Sequence, residues 1–179
     1  MPDNDDTSIF MDWLEKHKAS VIQVARAYTF SSEEGQDLAQ EILLQAWRSL
    51  PKFEGRSSPA TWFYRIALHT AMNWRRGDER RRAHQRPLLE VQTLPSGLAD
   101  SCQQAEQRET VEQLYKAIHQ LPKSDIALVL LYLDELSYCE MAGVLGISES
   151  NVGVRLSRAK KAMASLMNVE AAEGQNDES

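Results

Sequence analysis

The sequence predicts an all-α protein: two small helical domains joined by a flexible linker, the C-terminal one a helix-turn-helix. Three observations predict it. Apolar residues recur at spacings of three and four along most of the chain, and period-2 alternation is absent, so no strand is expected. The stretch Leu136–Met163, LSYCEMAGVLGISESNVGVRLSRAKKAM, has the form of two helices around a tight glycine turn. Between Arg86 and Cys102 the periodicity lapses, two prolines and a glycine appear, and the charge turns from basic to acidic, which is the composition of a domain boundary.

The first domain is expected over residues 9–84, after a polar, acidic start that reads as disordered. Ile9, Trp13, Val21, Val24, Ala25 and Tyr28 make a helical stripe. Phe30–Gly35 interrupts it, and Ser32 or a neighbour caps a second helix over about Glu34–Ser49. In that helix Leu38, Ile42 and Ala46 share one face, while Gln40, Leu44 and Trp47 share another, flanked by Asp37 and Glu41. A helix with two apolar faces is either central to a core or exposes one of them to a partner. Pro51 ends the helix. Lys52–Pro59, KFEGRSSP, is a loop of turn formers. A third helix runs from Ala60 to about Arg82, with Phe63, Ile66, Ala67, Thr70 and Trp74 inward. Its second stripe holds Trp62, Arg65, His69, Met72, Asn73 and Arg76. Arginine, histidine and asparagine bond phosphates or bases, and Trp62 either stacks a base or packs the preceding loop.

A linker over 85–106 leads to the second domain, residues 107–168. Helix returns at Gln104–His119, with Val111, Leu114, Tyr115 and Ile118 inward. Leu121-Pro122 turns the chain, and Asp125–Leu136 is apolar enough to be the central helix of a small bundle. Ser137 with Glu140 three residues on forms a capping box. The helix it starts runs through Met141, Ala142 and Leu145, and Gly146 stops it. Ser148 caps the last helix, with Glu149 favourable in its first turn. There Val152, Leu156, Ala159, Met163 and Leu166 form one buried stripe, and Ser150, Val154, Ser157, Arg158 and Lys161 lie roughly opposite. Residues 169–179 read as a disordered acidic tail.

Composition removes several function classes. No apolar run approaches the ~20 residues of a membrane span. The first residues, MPDNDDTS, resemble neither a secretory signal nor a transit peptide, so the chain is expected in the cytoplasm and not in a membrane. Cys102 and Cys139 are the only cysteines, without a Cys-x-x-Cys, and the histidines are scattered; no disulfide framework, metal site or cofactor is expected. Asp37/Glu41 and Asp134/Glu135 are charge pairs on helices, so nothing points to an enzyme. A net charge of −6 argues against a general nucleic-acid coat, but its distribution is uneven. From Trp62 to Arg86 seven arginines face Asp78 and Glu79, and Arg155 to Lys161 holds four basic residues and no acid. Two basic patches on an acidic body suit a protein that touches DNA in two places.

In chain order, DLAQEILLQAW, a loop, TWFYRIALHTAMNWRR, a variable linker and LPKSDIALVLLYLDELSYCEMAGVLGISESNVGVRLSRAKK resemble a bacterial extracytoplasmic-function sigma factor, over about residues 10–82 and 108–167. The resemblance implies sigma region 2 at 9–84 and region 4 at 107–168. It implies core RNA polymerase (its β′ clamp helices and β subunit), promoter DNA and an anti-sigma factor as partners, and no catalysis by the chain itself. Asp37, Gln40, Glu41, Leu44 and Trp47 would dock on polymerase. Phe53, Ser57, Ser58, Thr61, Trp62, Arg65, Asn73 and Arg76 would read and melt the minus-10 element. Ser150, Asn151, Val154, Ser157 and Arg158 would face the minus-35 duplex, with Arg155 and Lys161 on its backbone. Three positions depart from the family pattern: His69 stands where asparagine is frequent, and Gly153 and Val154 where polar or basic residues are. Direct base readout is therefore expected to be thin, with more weight on Arg158 and on DNA shape. The competing readings are a helix-turn-helix regulator acting without polymerase and a helical adaptor that binds no nucleic acid. The aromatic and arginine-rich helix at 62–76 argues for the first reading, because a duplex reader needs no melting module.

Overall fold

The structure, a computed structural model, describes residues 4–84 and 102–174, with side chains described at 8, 10–77 and 108–167. All regular structure among the described residues is helical. The helices are α1 (Asn4–Tyr28), α2 (Ser32–Ser49), α3 (Pro59–His84), α4 (Cys102–His119), α5 (Lys123–Leu133), α6 (Tyr138–Leu145) and α7 (Glu149–Gly174), with one 3-10 turn at Leu50–Lys52. The chain divides into two compact units, α1–α3 forming the first and α4, α5 and α7 lying in the second. We describe α6 with α7, to which a tight turn joins it.

In the first unit each helix packs against the other two. Val21, Val24, Ala25 and Tyr28 of α1 are buried with Leu38, Ile42 and Ala46 of α2 and with Phe63, Tyr64, Ala67, Leu68 and Ala71 of α3. The inward face of α3 is thus set by Tyr64, Leu68 and Ala71 beside Phe63 and Ala67, whereas Ile66, Thr70 and Trp74 are only half-buried. Tyr64 is placed by its hydroxyl, 2.8 Å from Ser20 Oγ, and His17 stacks on Phe63 with ring centroids 5.5 Å apart. The buried Thr29 hydroxyl donates to the Ala25 carbonyl at 2.8 Å, which satisfies a polar group that burial would otherwise penalise. The cap of α2 is Ser31: its Oγ accepts from the Glu34 backbone N–H at 3.2 Å, and the Glu34 carboxylate accepts from the Phe30 N–H at 3.2 Å. Helix α1 starts at Asn4, earlier than the polar composition led us to expect.

In the second unit α5 is the centre. Ile126 to Leu131 are buried without interruption, which a helix achieves only when enclosed all round. Helix α7 packs across α5 and also meets α4. Three expectations shift here. Val111 is 40% exposed, whereas Ile118 is buried as expected, together with Ala117. Helix α7 continues past Asn168 to Gly174, and α4 already begins at Cys102 inside the expected linker. Residues 168–172 are mostly fair helix formers, so a helix started upstream continues at little cost. The rest of the expected linker, 85–101, and residues 175–179 lie outside the described residues.

The end of α5 carries a device that composition hid. Glu135 adopts φ 59°, while the Glu135 N–H donates to the Tyr132 carbonyl and the Leu136 N–H to the Leu131 carbonyl, at 3.0 and 3.1 Å. This is a Schellman stop with glutamate where glycine is usual. The left-handed conformation costs a non-glycine residue about 1–2 kcal/mol. Glu135→Gly is therefore expected to stabilise the second unit by up to about 1 kcal/mol, read as a higher denaturant midpoint at constant slope. A lower midpoint would mean that the glutamate side chain holds more than its backbone loses.

Candidate nucleic-acid interface

The helix-turn-helix is fixed by local hydrogen bonds. Ser137 donates from both its backbone N–H and its hydroxyl to Glu140 Oε2, at 2.8 and 2.7 Å, and Ser137 Oγ accepts from the Glu140 N–H at 3.3 Å. The hydroxyl and then the backbone bond from Ser137 hold the Glu140 carboxyl below its ordinary range. The stability this adds is present above the unfolded-state pKa and is lost as pH falls through the lower folded one; it is small, because Glu140 is exposed. Gly146 turns the chain at φ 68°, with its N–H on the Ala142 carbonyl at 2.8 Å. Ser148 Oγ then accepts from the Asn151 N–H at 3.3 Å and caps α7.

Along α7, Val152, Leu156, Ala159 and Met163 are buried. Ser150, Asn151, Val154, Ser157, Arg158 and Lys161 are exposed, and Val154 is 53% exposed. Gly153 is half-buried, and a Cβ there would lie 3.4 Å from the Tyr138 ring at the start of α6. Arg155 lies at the edge of the buried stripe. Its Nη2 donates to Asp125 Oδ1 of α5 at 2.8 Å, and the two side chains are only 29% and 24% exposed. Lys160 is exposed, and its Nζ lies 3.4 Å from the centroid of the Tyr132 ring, itself 43% exposed.

The expected minus-10 set lies in the first unit, around the start of α3. Ser58 caps the helix: its Oγ accepts from the Thr61 N–H at 3.1 Å and donates to Thr61 Oγ1 at 2.9 Å, with Pro59 following at the first helical position. Ser57 is half-buried. Phe53 and Trp62 form an edge-to-face triad with Trp13 of α1, with centroids 5.1–5.5 Å apart. Trp62 therefore packs the loop, the second of its two expected uses. Further along α3, Arg65, His69, Asn73 and Arg76 are exposed on one stripe, and Asn73 Nδ2 lies 3.2 Å from His69 Nδ1.

On α2, Asp37 and Gln40 are exposed, and Leu44 is 40% exposed. Glu41 is half-buried and accepts from Gln45 Nε2 at 2.7 Å. Trp47 falls between the two uses open to the second face of α2, core and docking ridge. It is half-buried, edge-to-face with Phe10 of α1 at 5.1 Å. Among the described residues no cluster of metal-ligating side chains occurs, and no helix is long and apolar enough to cross a membrane.

Two family models match the chain, Sigma-70 region 2 over residues 13–81 and Sigma-70, region 4 over residues 111–163. The RNA polymerase sigma factor YlaC of Bacillus subtilis is 32% identical over 160 residues, which span 81% of this chain and 90% of that protein. The ECF RNA polymerase sigma-E factor of Escherichia coli K12 is 32% identical over 134 residues, 71% of this chain and 70% of that protein. This chain belongs to the extracytoplasmic-function RNA polymerase sigma factors. The sigma factor also shares its fold with the sigma factor RpoE from Bartonella quintana, solved in complex with the anti-sigma factor NepR, at a TM-score of 0.66 and 18% identity over 88% of this chain and 98% of that one. It is thus a transcription initiation factor, and it directs core RNA polymerase to promoters.

Several tertiary contacts of the sigma factor's framework escaped the sequence reading. Phe10, Trp13, Asp125 and Tyr132 each complete a contact made by an expected site residue or its neighbour. Their signal was faint, because each sits on a different helix from the residue it holds.

Proposed function

We propose that the sigma factor grips a promoter through a helix face on each unit and meets polymerase through α2. The observation that carries this reading is the pair of outward polar, cation-bearing faces: Arg65, Asn73 and Arg76 on α3, and Ser150, Asn151, Val154, Ser157, Arg158 and Lys161 on α7. The α7 face reads the minus-35 duplex, with Arg158 as the main base contact and Lys161 on phosphate. The α3 face tracks the non-template strand of the minus-10 element. Flipping a base there costs a few kcal/mol of unstacking. The loop at 53–61 offsets that cost by presenting a site already rigid. The triad of Trp13, Phe53 and Trp62 braces the loop, and the cap by Ser58 and Thr61 fixes where it enters α3. Phe53, Ser57, Ser58, Thr61 and Trp62 thus serve melting mainly by shaping the pocket. Asp37, Gln40, Glu41 and Leu44 form the polymerase-docking face, on the β′ clamp helices, with Trp47 as its half-covered edge.

Two modest DNA contacts on one chain reinforce each other through effective concentration, so neither need be strong alone. The sigma factor acts in the cytoplasm, has no catalytic step of its own, and is held in check by an anti-sigma factor; RpoE from Bartonella quintana, which shares its fold, was solved in complex with one. With core polymerase added, thymines of the minus-10 element are expected to become reactive to permanganate, and the chain alone should leave them paired. Tight duplex binding by the chain alone, with no melting when core is present, would instead make it a regulator that works without polymerase.

A further inference from the structure

Basic residues on a DNA-reading helix are ordinarily counted as phosphate contacts. Of the four on the first half of α7, two engage side chains of α5, Arg155 half-buried and Lys160 at the surface, and their placement is regular. Arg155 and Lys160 flank the buried stripe of Val152, Leu156, Ala159 and Met163 on opposite sides, by the 3.6-residue period. They also reach opposite ends of α5. Arg155 bonds Asp125 in its first turn at 2.8 Å, and Lys160 covers the ring of Tyr132 in its last turn at 3.4 Å. Helix α5 is the most deeply buried element of the unit, so it is a fixed reference. Leu156 and its neighbours hold α7 against α5, but an apolar stripe alone permits rolling and changes of crossing angle, because such contacts are non-directional. A charge-assisted hydrogen bond on one flank and a cation over an aromatic face on the other are directional.

We infer that Arg155 and Lys160 are positioning residues, a pair of cationic struts that set the angle at which α7 presents Ser150, Val154, Ser157 and Arg158 to the major groove. This rests on the reading of α7 as the minus-35 reader. The residue that reveals the strut is Asp125, which lies on α5 and not on the reading helix. If Arg155 were a phosphate contact, Asp125 would be a competitor for it, and removing its charge would strengthen DNA binding. If Arg155 is a strut, removing that charge loosens α7 and weakens discrimination.

The test uses full-length chain in holoenzyme with core polymerase. A minus-35 duplex is first selected from a random-sequence library by the wild-type holoenzyme. Affinities for it and for a scrambled duplex are then measured across a salt series, at a temperature where circular dichroism shows every variant folded. Asp125→Asn is expected to lower the selected-to-scrambled ratio by about tenfold, within the range of one misplaced base contact. Arg155→Ala should do the same with an unchanged salt slope, and the double variant should be no worse than either single one. Arg158→Ala is the control for a direct contact. Should Asp125→Asn not fold, Tyr132→Leu removes the other strut and should lower the ratio in the same sense. Tighter binding by Asp125→Asn, or a salt slope reduced by about 1 in Arg155→Ala, would overturn the strut and restore a phosphate contact. An unchanged ratio in Asp125→Asn would overturn it as well. A wild-type holoenzyme that selects no element would overturn the minus-35 reading and the strut with it.

Discussion

Leu44→Asp is expected to weaken binding to core polymerase by about 2–4 kcal/mol, the scale of a disrupted interface anchor, while the melting temperature stays within a few degrees of wild type. The two halves of this expectation have separate causes. Leu44 is 40% exposed on α2, opposite the buried Leu38, Ile42 and Ala46, so a carboxylate there stays hydrated in the unbound protein. On docking it must shed water against an apolar partner surface, and an unpaired buried charge is strongly unfavourable. Trp47→Ala is a poorer probe, because its ring packs on Phe10 and its loss disturbs α1 as well as any interface. Binding is read by competition for fluorescent core, and stability by thermal melting. Normal polymerase affinity for Leu44→Asp would move the docking face off this side of α2.

Leu156→Ala should destabilise the second unit by about 2–5 kcal/mol, the usual cost of truncating a fully buried leucine. A small unit has only about 5–15 kcal/mol of stability to lose, so the variant should unfold well below the wild-type denaturant midpoint and lose minus-35 binding with it. Its sequence neighbour makes the contrast. Ser157 is exposed on the reading face, and Ser157→Ala should change stability by no more than about 0.5 kcal/mol. Any loss of DNA affinity in Ser157→Ala then reports contact, not unfolding. Equal destabilisation by the two substitutions would contradict the orientation of α7.

The same pair shows what the sequence made legible. A helix repeats every 3.6 residues, so the burial of Leu156 and the exposure of Ser157 follow from position alone. Glycine at 146 and the Ser137–Glu140 spacing are equally local signals, and both are found as expected. Periodicity says less about side chains at the edge of a stripe. Arg155 and Lys160 sit at such edges, and their long stems let the charge swing toward solvent or toward α5. Only the tertiary partners, Asp125 and Tyr132, decide between the two. Trp47 and Trp62 are the aromatic version of the same ambiguity, resolved by Phe10 and by Trp13 with Phe53. On α3, Tyr64, Leu68 and Ala71 were passed over because aromatic and small residues on both flanks widen the apolar arc beyond one clean stripe. Helix ends were the other weak point. Composition read Asn4–Ser8 and 169–174 as too polar, yet helices begun in a packed region run on through them.

The central claim is that this chain gives core polymerase its promoter specificity. Run-off transcription tests it most directly, with purified core, the full-length chain and a template carrying the selected minus-35 element and a spaced minus-10 element. The account predicts a single run-off product that requires the chain, is lost when either element is scrambled, and is lost with Leu44→Asp. Transcription that is unchanged when the chain is omitted, or no initiation from any selected template despite tight duplex binding, would contradict it.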